Sequence, residues 1–164
     1  MAGSSNKKVV IQRFDREPIF GFVQQNAWLR ADGIELLSPT GTLIQIALMD
    51  AKAICFVREF SLDPVPASRR AFLNRPKVDG VWVRLVFRDA EMLEGVMPNN
   101  LLYMEAAGIS VIPPDSAQRV FAPRTALTAV QVLGVVGSPF RGQSKARTGK
   151  GTQEQIGLFE GSGL

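Results

Sequence analysis

Short runs of β-branched and aliphatic residues, broken at regular intervals by turn formers, fill the chain as far as Val136. None keeps the three-to-four spacing of a long amphipathic helix, so the pattern predicts short strands at the spacing of a small sandwich or barrel. Strands are expected near 8–14 (Lys-Val-Val-Ile-Gln-Arg-Phe), 18–24, 33–38, 42–48 and 52–59. Asp15-Arg16-Glu17, Ala31-Asp32-Gly33 and Ser38-Pro39-Thr40-Gly41 supply the turns between them.

The same pattern returns over 81–136, displaced by 74 or 75 positions. Val9-Val10-Ile11 is answered by Val83-Arg84-Leu85, Asp15 by Asp89, Gly21-Phe22-Val23 by Gly95-Val96-Met97, and Gly33-Ile34 by Gly108-Ile109. Pro39 is answered by Pro114, and Ala53-Ile54-Cys55-Phe56-Val57 by Thr128-Ala129-Val130-Gln131-Val132. A near-constant offset through five strands points to internal duplication. Gly21 and Gly95, each in mid-strand, permit the sharp bend that closes a small curved barrel. The expected architecture is therefore all-β: a first barrel over 7–60, a basic Pro-containing connector over 61–80, a second barrel over 81–137 and a disordered tail over 138–164. The loops carrying Trp28 and Tyr103 are equally apolar, and both aromatics are expected in the core or between the units rather than stacked on a base.

Five short antiparallel strands with a bent second strand resemble the SH3-like or Sm-like barrel class. Sm-type RNA binders carry Asp and Asn after strand two and an Arg-Gly pair after strand four; Asn26 and Asn100 match the first in part, and the second is missing. The chain also resembles an uncharacterised bacterial module found beside PilZ domains. Phe56-Val57-Arg58-Glu59-Phe60 matches the string that closes its first half and Arg119-Val120-Phe121 that of its second, while Arg16 and Ala90 replace its turn glycines. Ser68-Arg69-Arg70 lacks the Asp-x-Ser-x-x-Gly companion that cyclic-dinucleotide binding requires.

Composition narrows the chemistry. There is no histidine, which removes imidazole-based nucleophile activation and imidazole metal ligation. The single cysteine, Cys55, sits in an apolar strand and is expected to be a buried, inert thiol. Glu91 and Glu94 flank Met92-Leu93 and point to opposite faces of a strand, so they do not share a substrate. No enzyme, cofactor or metal is indicated. No span of roughly 18 apolar residues or signal-peptide core is present, which makes the cytoplasm the expected compartment. The net charge of +4 is concentrated in the connector and tail: 61–80 carries four basic and two acidic residues, and 138–164 the same. Arg69, Arg70, Arg75 and Lys77 read as an anion-binding strip or, preferably, as a solvated linker with a helical turn around Ser68 to Leu73.

After Val136 the composition shifts to Gly, Ser and Lys, a flexible basic tether. Beyond it the apolar residues return in Gln155-Ile156-Gly157-Leu158-Phe159, a short cluster of the kind that docks on a partner. The string resembles the pentapeptide that holds the bacterial DNA sliding clamp. That resemblance implies a rim hydrogen bond from Gln155, Leu158 and Phe159 in an apolar cleft, and Ile156 packed beside them. Arg141, Lys145, Arg147 and Lys150 would then add weak, salt-sensitive contact with DNA phosphates. The expected function is a non-enzymatic adaptor recruited to the clamp in DNA replication or repair. Set against it is a regulatory module that binds RNA, nucleotide or peptide through its barrels, with Ile156, Leu158 and Phe159 folded back on the protein itself or on a second copy.

Overall fold

A computed structural model describes residues 5–137, and over these the chain is all-β. Its strands are β1 (Asn6–Arg13), β2 (Ile19–Gln24), β3 (Leu29–Arg30), β4 (Gly33–Leu37), β5 (Leu43–Ile46), β6 (Ala51–Phe56), β7 (Gly80–Phe87), β8 (Met92–Met97), β9 (Gly108–Val111), β10 (Val120–Pro123) and β11 (Leu127–Val136). Single 3-10 turns stand at Leu48–Asp50, Ala67–Arg69, Leu101–Tyr103 and Arg124–Ala126.

All pairing is antiparallel. In the first half β6 pairs with β1, β1 with β2, β2 with β4, and β4 with β5. In the second, β11 pairs with β7, β7 with β8, and β9 with β10, while a single bridge between Val96 and Ile112 ties β8 to the end of β9. The halves are joined because β10 adds to the outer edge of β6, Val120 opposite Cys55 and Phe121 opposite Ile54. One eight-stranded sheet thus runs from the first half through β6 to β10 and β9, while β11, β7 and β8 form a second, three-stranded sheet.

Continuous apolar strings become strands buried on both faces. Val9, Ile11, Ile54 and Phe121 face one core with Trp28, Ile34 and Leu36; Val10, Cys55 and Val120 face the other with Val83, Leu85 and Phe87. Gly21 lets β2 and β4 approach closely, since a Cβ there would lie 2.6 Å from the Leu37 carbonyl oxygen. Gly95 does the same for β8 and β9, where a Cβ would lie 2.6 Å from that of Val111.

The predicted strand over 42–48 is shortened because Leu48–Asp50 turns into a 3-10 helix before β6. The one over 52–59 stops at Phe56, and Phe60 instead folds back edge-on to Phe20 and Phe22, each 5.6 Å away. The connector is solvated over most of its residues, as expected, and is pinned to the fold at a few points. Val65 is buried in the second core, Arg70 donates to the Val65 carbonyl (3.2 Å) and pairs with Glu91 (3.2 Å), and Arg75 donates to the Val135 carbonyl at 2.6 Å. Its helical turn is only the 3-10 turn Ala67–Arg69. No helix among the described residues is long and apolar enough to cross a membrane.

Candidate peptide-binding groove

β6 and β11 hold the same place in the pairing order of their halves, but their outer edges differ. That of β6 is covered by β10, and among the described residues β11 pairs with β7 alone. In register, Val9 lies opposite Phe56 and Val83 opposite Val132, so Val130 and Val132 stand where Ile54 and Phe56 stand in the first half. Ile54 is fully buried, whereas its equivalent Val130 is 38% exposed and Val132 is 68% exposed. β11 carries no charged residue, and charges are the usual means of keeping a long edge strand from pairing with another chain.

The loops after β2 and β8 separate the halves further. Trp28 is buried, edge-on to Phe56 at 5.7 Å and to Phe121 at 5.1 Å, and with Phe121 it fills the mouth of the first core. Tyr103 is 71% exposed on the Leu101–Tyr103 turn, which Asn100 caps by accepting from the Leu102 amide at 3.0 Å. Both aromatics are expected in core or interface; Trp28 is in the core, and Tyr103 is on the exposed turn instead. Leu101 and Leu102 are exposed beside it. What remains is an apolar groove of about 510 Å³, floored by Val81, Val83 and Ile109 and walled by Val130, Val132 and Met104, with Arg124 among its lining residues. A second hollow of about 310 Å³ adjoins it past Met97 and Met104 and is lined in part by Ser110, whose buried hydroxyl has no hydrogen-bond partner among the described residues.

The densest charge cluster lies elsewhere. Lys52, buried on β6, reaches Asp89 at 2.5 Å and the Glu91 carboxylate, with Arg70 on the other side of Glu91. Phe14 and Phe87 flank the ammonium at 5.6 and 5.2 Å. Burial pushes the Asp89 carboxyl upward, but the hydrogen bond and charge of Lys52 and the Glu91 amide outweigh it, and its pKa falls below the ordinary value. Glu91 is lowered by the Lys52 hydrogen bond against burial, with help from the charges of Lys52 and Arg70. The Lys52 ammonium, held by two carboxylates, latches β6 to the β7–β8 hairpin. Glu94 serves a different set of donors: Arg84 at 2.9 Å, the Trp82 indole at 3.2 Å and the Phe72 amide at 3.0 Å. Sequence reading missed Lys52, whose signal was a lysine inside the apolar string Ala51-Lys52-Ala53-Ile54.

A family model for a family of unknown function, DUF6982, matches residues 5–134. The chain belongs to the DUF6982 family. No curated protein and no solved structure matches it. In this DUF6982 protein the clamp-like residues Gln155, Ile156, Leu158 and Phe159, and the phosphate candidates Arg141, Lys145, Arg147 and Lys150, lie outside the described residues and beyond the family match. Cys55 is buried between the halves, and burial, aided by the charge of Asp63, pushes its thiol up to about 12, as an inert thiol requires.

Proposed function

We propose that this DUF6982 protein is a non-enzymatic adaptor whose second half captures an extended apolar peptide by adding it as a strand to β11. The observation that supports this is the outer edge of β11, which no strand covers among the described residues, above an apolar groove at the place where the first half receives β10. Strand addition draws affinity from main-chain hydrogen bonds and specificity from pockets for alternate side chains. β10 supplies the template: the Phe56 amide donates to the Arg119 carbonyl at 3.0 Å while Phe121 enters the core. The halves read as copies of one five-stranded small barrel of the SH3-like or Sm-like kind. Supporting this are the shared pairing order, the 3-10 turns Leu48–Asp50 and Arg124–Ala126 at equivalent places, and the close approaches at Gly21 and Gly95.

The test is a fluorescent peptide with the sequence Gln118 to Pro123, titrated into the full chain. Saturable binding is expected, and Val130→Asp with Val132→Asp removes it. Binding indifferent to the double substitution overturns the groove.

The five matched positions of Gln155-Ile156-Gly157-Leu158-Phe159 support a second reading of the same adaptor, in which this segment brings it to the bacterial sliding clamp in the cytoplasm for replication or repair. A labelled peptide of residues 153–164 is expected to bind purified clamp and to lose binding on Leu158→Ala with Phe159→Ala. Binding that survives this change sinks the reading.

A further inference from the structure

The strand that fills the first half's edge carries an aliphatic–aromatic pair, Val120-Phe121, with Val120 turned to one core and Phe121 to the other. Residues 138–164 contain the same kind of pair, Leu158-Phe159. We infer that Leu158-Phe159 of this chain is the cognate occupant of the β11 groove, added antiparallel along the outer edge as β10 is added to β6. This names the ligand of the groove and rests on the strand-addition reading above.

The template sets the register. Phe121 opposite Ile54 becomes Phe159 opposite Val130, and Val120 opposite Cys55 becomes Leu158 opposite Gln131. The Gly157 carbonyl then accepts from the Val132 amide, as the Arg119 carbonyl accepts from Phe56. Phe159 enters the apolar groove between Val130 and Ile109. Glu160, next in sequence, runs toward the start of β11, where Arg124 lines the groove, so the charges match. Chain length permits the return. β11 ends at Val136 and residues 138–154 intervene; an antiparallel strand need only come back about 20 Å, at roughly 3.4 Å per residue, to reach Val130. Since the anchors are also those of the clamp-like motif, occupancy of the groove and docking on a clamp exclude each other.

Competition tests this. The labelled Gln118–Pro123 peptide is titrated into the full wild-type chain and into the full chain carrying Leu158→Ser and Phe159→Ser. A tethered segment acts at an effective concentration of the order of 1 mM, so one with an intrinsic affinity near 100 μM weakens the probe about tenfold. The double variant is therefore expected to bind the probe about tenfold more tightly than wild type. Equal, measurable affinities overturn the inference and leave the groove standing. Failure of both proteins to bind overturns the inference and the groove reading together.

Discussion

The two halves of the molecule follow one order of strand pairing and end in opposite ways. The mouth of the first is filled by Trp28 and Phe121 and its edge is covered by β10; the second has Tyr103 exposed and, among the described residues, no strand on the edge of β11. Burial in the first half joins the halves, and the second keeps apolar surface exposed at the groove among the described residues. Exposed apolar surface on a groove beside an unpaired strand edge marks a binding site.

The largest effect falls where the comparison is sharpest. Phe121→Ala empties a fully buried site at the junction and should cost about 3–5 kcal/mol of stability in denaturant titration. Tyr103→Ala on the exposed turn should change it by less than about 0.5 kcal/mol. Similar costs at the two positions would erase the distinction between filled and open mouths.

Next comes the latch. Removing Lys52 strands two partly exposed carboxylates, so Lys52→Ala should cost about 2 kcal/mol, less than the ~3–5 of a fully buried pair. The pH dependence follows from the lowered pKa of Asp89 and Glu91. Below the unfolded carboxylate values, about 4, the unfolded state binds more protons. The latch's stabilisation is thus full above that range and is lost as pH falls through the depressed folded values. Lys52→Ala should flatten that acid limb in thermal melts at stepped pH, and an unchanged limb would remove the latch from the account.

A smaller effect of opposite sign is expected in the β7–β8 hairpin. Ala90 is held at a φ of 68°, in the left-handed region that glycine favours, whereas no residue of the Asp15-Arg16-Glu17 turn has a positive φ. Ala90→Gly should stabilise the protein by about 0.5–1 kcal/mol, read as a raised denaturation midpoint.

Much of this was legible in the sequence, for physical reasons. Strand positions in the first half followed from apolar strings and turn residues because local sterics set both. Mid-strand Gly21 and Gly95 were legible as special positions expected to bend, and the structure adds that a Cβ at either would collide with the neighbouring strand. Tertiary pairing was not legible. Nothing local to Val120-Phe121 says that it adds to β6, nothing in Arg70 or Arg75 says that they bind the Val65 and Val135 carbonyls, and Lys52 shows its role only once Asp89 and Glu91 arrive from the other half. The groove was hidden for the same reason: Trp28 and Tyr103 sit in equally apolar loops, and only the fold buries one and exposes the other.

The most direct test of the contrast is a chemical-shift titration of the full, isotope-labelled Leu158→Ser, Phe159→Ser chain with the Gln118–Pro123 peptide. The account predicts that perturbations gather on Val130, Val132 and Met104 while the Trp28 indole and the amides of β6 stay still. Perturbation centred on Trp28 and β6, or none at β11, would contradict it.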